Sequence, residues 1–127
     1  MNNVRTEQSE SYLGGRPLKN EVKKVVLHHT GSTDEKNNNK YVHNHFMNPD
    51  SETSAHVVIE EDGTRTIYAS PDQVTFHAGK STWDGRSNVN DFGVGIEFQG
   101  DTNVKPLTSA QIRSFVEYFD QLAKKYN

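Results

Sequence analysis

His28 and His29 close a short apolar, β-branched run, Val22 to Leu27, and are followed at once by Thr30 and Gly31. A run of that kind suits a buried strand feeding a loop, and the C-terminal ends of strands are where α/β sheets tend to place ligands and reacting groups. Imidazoles there can bind a metal or carry a proton. Neighbours on a strand point to opposite faces, so at most one of the pair can face a given site. A carboxylate with similar placement is Glu97. In Phe92 to Phe98 large apolar residues alternate with Gly93, Gly95 and Glu97, so Glu97 faces away from the side taken by Ile96 and the glycines permit close approach of another group. The chain has six histidines and no cysteine, so a metal would need His, Asp or Glu ligands. Spacing alone gives that idea little support. His43 and His45 lie two apart on an expected helix and point about 200° apart around its axis, which reads as solvated surface.

The elements that must position these groups follow from pattern. Tyr41, Val42, His45 and Phe46 recur at helical spacing in a segment stopped by Asn48-Pro49, because the residue before proline disfavours the helical conformation. Ala55 to Glu60 and Thr64 to Ala69 are β-rich runs separated by Glu61-Asp62-Gly63, a hairpin signal. His56, inside that hairpin, reads as a packing residue. Phe76 to Asn90 has neither period and reads as an ordered surface loop, a length that is usually functional. Thr108 and Gln111 form a capping box ahead of a helix whose apolar stripe comprises Ile112, Phe115, Val116, Phe119, Leu122, Ala123 and Tyr126. The order strand, helix, hairpin, loop, strand, helix predicts an α/β fold, a mixed central β-sheet flanked by helices.

Composition narrows the function classes. A chain of 127 residues is one domain long. We divide it into a polar N-terminal arm, residues 1–20, and a domain over residues 21–127. The formal net charge of -3, with both signs interspersed, argues against nucleic acid. No window approaches the ~20 apolar residues needed to span a bilayer, and the first thirty residues hold no signal-peptide core. The expected location is therefore cytoplasmic, or the cell wall reached by another route. A cysteine-free chain leaves the redox compartment open.

Four ordered segments carry more than any one residue does. Val26-Leu27-His28-His29-Thr30, Ser54 to Ile59, Phe76-His77-Ala78-Gly79 and Asn90 to Glu97 together resemble the type-2 N-acetylmuramoyl-L-alanine amidase family, which includes the peptidoglycan recognition proteins. The anhydro-muropeptide branch is the nearest likeness, with Trp83, Gly85-Arg86 and Asn90-Asp91 in matching order and Phe76 where that branch has Trp. The resemblance implies a zinc enzyme that cuts the amide between N-acetylmuramic acid and L-alanine in peptidoglycan or soluble muropeptides. It implies that His28 is a zinc ligand, that Glu97 is the catalytic acid/base facing the metal-bound water, and that His29, His77, Trp83, Arg86 and Asn90 line the substrate groove. That assignment suits the chemistry: a Lewis acid with a carboxylate for amide hydrolysis, and Arg, Asn, His and Trp for the carboxylates, amides and sugar faces of a glycopeptide. The plain alternatives are that Glu97 is one exposed strand carboxylate, that Asn90 only holds a turn and that Trp83 only covers the core edge.

The resemblance also breaks. Family members carry two further zinc ligands, a His and an Asp or Cys, with a catalytic Lys, in a segment beyond the helix, and nothing in this sequence matches it. The domain therefore reads as incomplete at its C-terminal end. The competing expectation is a peptidoglycan-binding module without activity, or an inactive fragment.

Overall fold

The structure, a computed structural model, describes residues 4–7, 12–15, 22–31, 42–44, 46–51 and 53–126. Its strands in chain order are β1 (Val4–Thr6), β2 (Tyr12–Gly15), β3 (Lys24–His29), β4 (Val57–Ile59), β5 (Arg65–Ile67), β6 (Gln73–Thr75), β7 (Thr82–Trp83), β8 (Arg86–Ser87) and β9 (Gly93–Phe98). Residues 42–44 and 46–47 are helical and form α1, and Ser109–Tyr126 is α2. Tyr41, His45 and residues 32–40 of the polar stretch Gly31 to Lys40, whose composition reads as loop, lie outside the described residues.

Five strands make the central sheet in the order β1-β5-β4-β9-β3. β9 runs parallel to both β3 and β4, whereas β4 and β5 are the antiparallel hairpin expected from Glu61-Asp62-Gly63. In its turn only Gly63 takes a positive φ, 89°, and the Asp62 carboxylate accepts the Thr64 amide at 2.8 Å. Strand periodicity divides the apolar residues between two layers. Val57, Ile59, Val94, Ile96 and Phe98 pack under α2 against Tyr118 and Leu122. Val58 faces the other way and packs with Val42 and Phe46 of α1, Ala55 and Tyr68. The sheet is therefore mixed and covered by a helix on each face, as the sequence predicts.

Three expectations need correction. Within the polar N-terminal stretch, Val4–Thr6 and Tyr12–Gly15 are strands that the sequence did not mark: β1 pairs parallel with β5 and β2 pairs with β6. All three residues of β1 are exposed, so no apolar alternation marks it in the sequence. β3 is an edge strand and only partly buried, with Leu27 51% exposed. The apolar stripe of α2 is only partly used: Leu122 is buried and Phe115 and Tyr126 pack on the core, but the other buried positions are Gln111, Ser114 and Tyr118, while Ile112, Val116 and Phe119 stay exposed.

Polar anchors explain that rotation of the helix. The Gln111 amide donates to the Ile59 and Gln99 carbonyls at 3.2 and 2.9 Å, and its backbone and side chain exchange hydrogen bonds with Thr108 in the expected capping box. Arg65, 1% exposed, donates through Nη1 to the Ser114 carbonyl and hydroxyl, both at 3.0 Å, and through Nη2 to Glu117 at 3.3 Å. A buried guanidinium is tolerable only with such partners. Arg65→Ala should therefore lower unfolding free energy by about 2–4 kcal/mol, since it removes the hydrogen bonds and opens a cavity. Urea denaturation with a change below about 0.5 kcal/mol would show that α2 is held without it.

Candidate functional site

Register decides which side chains can meet. Arg5, Thr66, Val58, Glu97 and His28 are successive partners across the sheet, and paired residues project to the same face. Glu97 and His28 therefore stand side by side on the face away from α2, at the C-terminal ends of parallel strands. His29 pairs with Phe98 and projects to the opposite face. There its Nδ1 accepts the Thr102 amide at 3.0 Å and lies 3.7 Å from the Asp101 carboxylate. The structure thus brings His28 and Glu97 together and turns His29 away. Both histidines still border a cavity of about 370 Å³ at the strand ends, shared with Leu27, Phe98, Thr102 and Leu107.

His77 joins the first two because β9 carries glycines. A Cβ on Gly95 would lie 2.5 Å from His77 Cγ, so only glycine leaves room for the ring. Seated there, His77 is edge-on to His28 at 5.6 Å and to His56 at 5.8 Å between ring centroids. Its Nε2 donates to the Gly93 carbonyl at 3.3 Å. Asn90 fixes the other end of the placement, its Oδ1 accepting the His77 and Ala78 amides at 3.1 and 2.9 Å. Asn90 thus ties down the backbone at His77 and Ala78. Gly95→Ala should expel the His77 ring from beside His28, at the cost of about 1–3 kcal/mol typical of overpacking. Imidazole proton spectra would report it, and unchanged His77 and His28 resonances would show that the ring does not rest on Gly95.

His56 behaves as a packing residue. It is fully buried, its Nδ1 accepts the Gly95 amide at 3.0 Å and its Nε2 donates to the Gln73 carbonyl at 2.7 Å. These bonds fix one neutral tautomer. His43 is not solvated surface, since its Nδ1 lies 2.9 Å from the Tyr68 hydroxyl.

Trp83 and Arg86 are opposed partners in a small hairpin, β7-β8, inside the segment expected to be an ordered surface loop. Its turn, Asp84-Gly85, has positive φ at both residues, 51° and 76°. This is the tight turn that Asp-Gly favours, so the dipeptide was the signal that could have found it. Trp83 is 48% exposed, with the Lys24 ammonium 2.7 Å from its ring centroid. Lys24 was not foreseen as a neighbour of the site. The Arg86 guanidinium lies over the Phe92 ring at 4.4 Å.

Electrostatics separate the two central groups. Burial alone pushes the Glu97 carboxyl up to about 7, which lets it hold or release a proton near neutral pH. Burial, and then the neighbouring His29, lower the pKa of His28 and favour its neutral ring. Its Nε2 is buried without a hydrogen-bond partner. A neutral imidazole with an uncommitted buried nitrogen suits a metal ligand. Among the described residues, however, no group of three His, Cys, Asp or Glu converges to hold an ion. The donor fits zinc, and the set around it is partial.

Comparison with known proteins supplies the family. Residues 18–127 match the N-acetylmuramoyl-L-alanine amidase family. The 1,6-anhydro-N-acetylmuramyl-L-alanine amidase AmpD of Haemophilus influenzae is 32% identical over 124 residues, covering 87% of this chain and 67% of the relative. The Escherichia coli protein of the same name is 36% identical over 78 residues, 56% of this chain, and the match spans only 42% of its length. A crystal structure of a selenomethionine AmpD derivative superposes over 99% of this chain and 76% of its own, with TM-score 0.75 and 25% identity. Drosophila peptidoglycan recognition protein SA shares the fold, with TM-score 0.72 and 16% identity over 99% of this chain and 75% of its own. The chain belongs to the N-acetylmuramoyl-L-alanine amidase family.

Proposed function

We propose that this chain supplies the substrate groove and the acid/base carboxylate of an amidase that hydrolyses the bond between N-acetylmuramic acid and L-alanine in muropeptides. The observation that carries the reading is the pairing of Glu97, half-buried with its carboxyl pushed up to about 7, with the neutral, uncommitted His28 on one sheet face. Zinc would be held by His28 together with ligands from outside the described residues. When bound it would polarise the scissile carbonyl and acidify a water. Glu97 takes the proton of the attacking water and returns it to the leaving amine, a role that needs a carboxyl poised near working pH. His77 and the hairpin bearing Trp83 and Arg86 form one wall of the groove. Asn90 acts through the His77 amide, and His29 reaches the ligand only from the far rim of the strand-end cavity.

A second reading, a peptidoglycan-binding module without activity, draws on the partial ligand set. Both readings need the groove, so calorimetric titration with an anhydro-muramoyl tripeptide tests what they share. Binding is expected, and Arg86→Ala should weaken it by the ~1.5–3 kcal/mol of a charge-assisted hydrogen bond. No heat of binding would remove both readings, and unchanged affinity in the variant would remove Arg86. Release of the stem peptide by a form with a complete ligand set separates enzyme from binder.

A further inference from the structure

α2 leaves one apolar line exposed. Ile112, Val116 and Phe119 are 50, 57 and 46% exposed, and Ala123, also exposed, continues the line. Their spacing is four, three and four residues, the a/d repeat of a two-helix seam. The line is turned by about 110° around the helix axis from Gln111, Ser114, Tyr118 and Leu122, which face the sheet. We propose that it is a dimer interface, on which α2 of a second copy of this chain packs antiparallel. The inference stands apart from the proposed function.

Charge selects both the occupant and its direction. Along the solvent side of the line stand Arg113 and Asp120, both exposed, and along the other side Phe115 and Leu122, which pack on the core. A two-fold axis between Val116 and Phe119 sets Ile112 against Ala123 of the second copy and Val116 against its Phe119. It also brings each Arg113 to within about 3 Å, along the helix axis, of the level of the other copy's Asp120. The antiparallel seam therefore gains two ion pairs. Parallel packing would set the same charged residues against Phe115 and Leu122 instead. Asp120 meets Lys124 at 2.9 Å on its own helix, but with side chains 62 and 77% exposed that pair is readily exchanged. Beside the seam the apolar surface continues into a cavity of about 360 Å³, where Phe119 and Ala123 meet Val22 and Val25 at the sheet edge. Four seam residues over about 17 Å of helix bury less than the ~800 Å² per partner of a standard interface, so the dimer is a weak one. α2 covers the sheet face away from Glu97, so both Glu97 faces stay open in the dimer.

Sedimentation equilibrium of the 127-residue chain tests it. The parent should pass from monomer to dimer with a dissociation constant on the order of 0.1 mM. Arg113→Asp leaves only acidic residues at the paired positions and Asp120→Arg only basic ones, so each variant alone should associate about tenfold more weakly. An equal mixture of the two variants should regain the parent's affinity, because each contact between copies again joins opposite charges. Misfolding of either variant could not produce that recovery. Val116→Glu, at the centre of the seam, should keep the chain monomeric with its Tm near the parent's, since the position is exposed. A parent that stays monomeric at about 1 mM would overturn the inference. So would a dimer indifferent to the charge reversals, as pairing through the β3 edge would give, or a mixture no tighter than its components.

Discussion

Glu97→Gln is expected to reduce turnover by about two to four orders of magnitude in a form extended beyond Asn127 by the ligand-bearing segment of a family member, while zinc content stays near normal. A carboxyl that moves a proton is lost by this change, whereas a metal ligand is not. The same substitution should act in the opposite direction on the stability of the 127-residue chain. In the folded protein Glu97 titrates at about 7 against an ordinary value of 4.5. The folded state therefore holds its proton more tightly than the unfolded chain. The stability this confers is complete below about pH 4.5, declines as pH rises, and is gone once pH has passed through 7. The displacement corresponds to roughly 3 kcal/mol between the two ends of that window. Glu97→Gln should flatten the dependence, leaving the variant more stable than the parent at pH 8 and little different at pH 4.5. Urea midpoints at the two values measure it. Parallel curves for parent and variant would place the carboxylate in water, and a variant retaining most of its turnover would move the acid/base role to another residue.

That one of His28 and His29 faces away from the other was legible from strand period, the choice of His28 as the partner of Glu97 came only with the resemblance, and the register that sets the two side by side is seen in the structure. The β4-β5 hairpin was legible through Glu61-Asp62-Gly63 and the capping box of α2 through Thr108 and Gln111, all local signals. What escaped depends on contacts between distant segments. β1 pairs with β5 across about sixty residues and has no buried side chain, so periodicity is silent about it. The face α2 buries is set by Arg65, fifty residues upstream, which bonds Ser114. The apolar stripe alone pointed to a different rotation. His29 illustrates the same limit within the site. Resemblance put it beside the substrate, while strand alternation put it on the far face, where Thr102 and Asp101 hold it. The position of His77 beside His28 rests on Gly95, whose missing side chain the sequence displays but whose visitor it does not name.

Zinc is the second large effect. The dialysed 127-residue chain is expected to retain far less than one equivalent by elemental analysis and to release no stem peptide from muropeptides. Catalytic zinc sites use three protein ligands and leave a fourth position for water, and a lone imidazole holds the ion too weakly to compete with water and buffer. Of the described residues, His28 offers a buried ring nitrogen that fits the role without rearrangement. His56 has both nitrogens engaged, by Gln73 and Gly95. His29 stands on the other face with Nδ1 accepting from Thr102, and His77 Nε2 is turned to the Gly93 carbonyl. Recruiting His56, or His29 through Nδ1, would break a hydrogen bond that also fixes β9 or the loop after it, whereas recruiting His77 through Nδ1 would leave its bond to Gly93 intact. In the extended form, zinc and cleavage should appear together, and His28→Ala should abolish both. Stoichiometric zinc with cleavage in the 127-residue chain would mean that one or more of these histidines had left its partner to complete the site, and the assignment of His28 as the sole ligand from this segment would have to be given up.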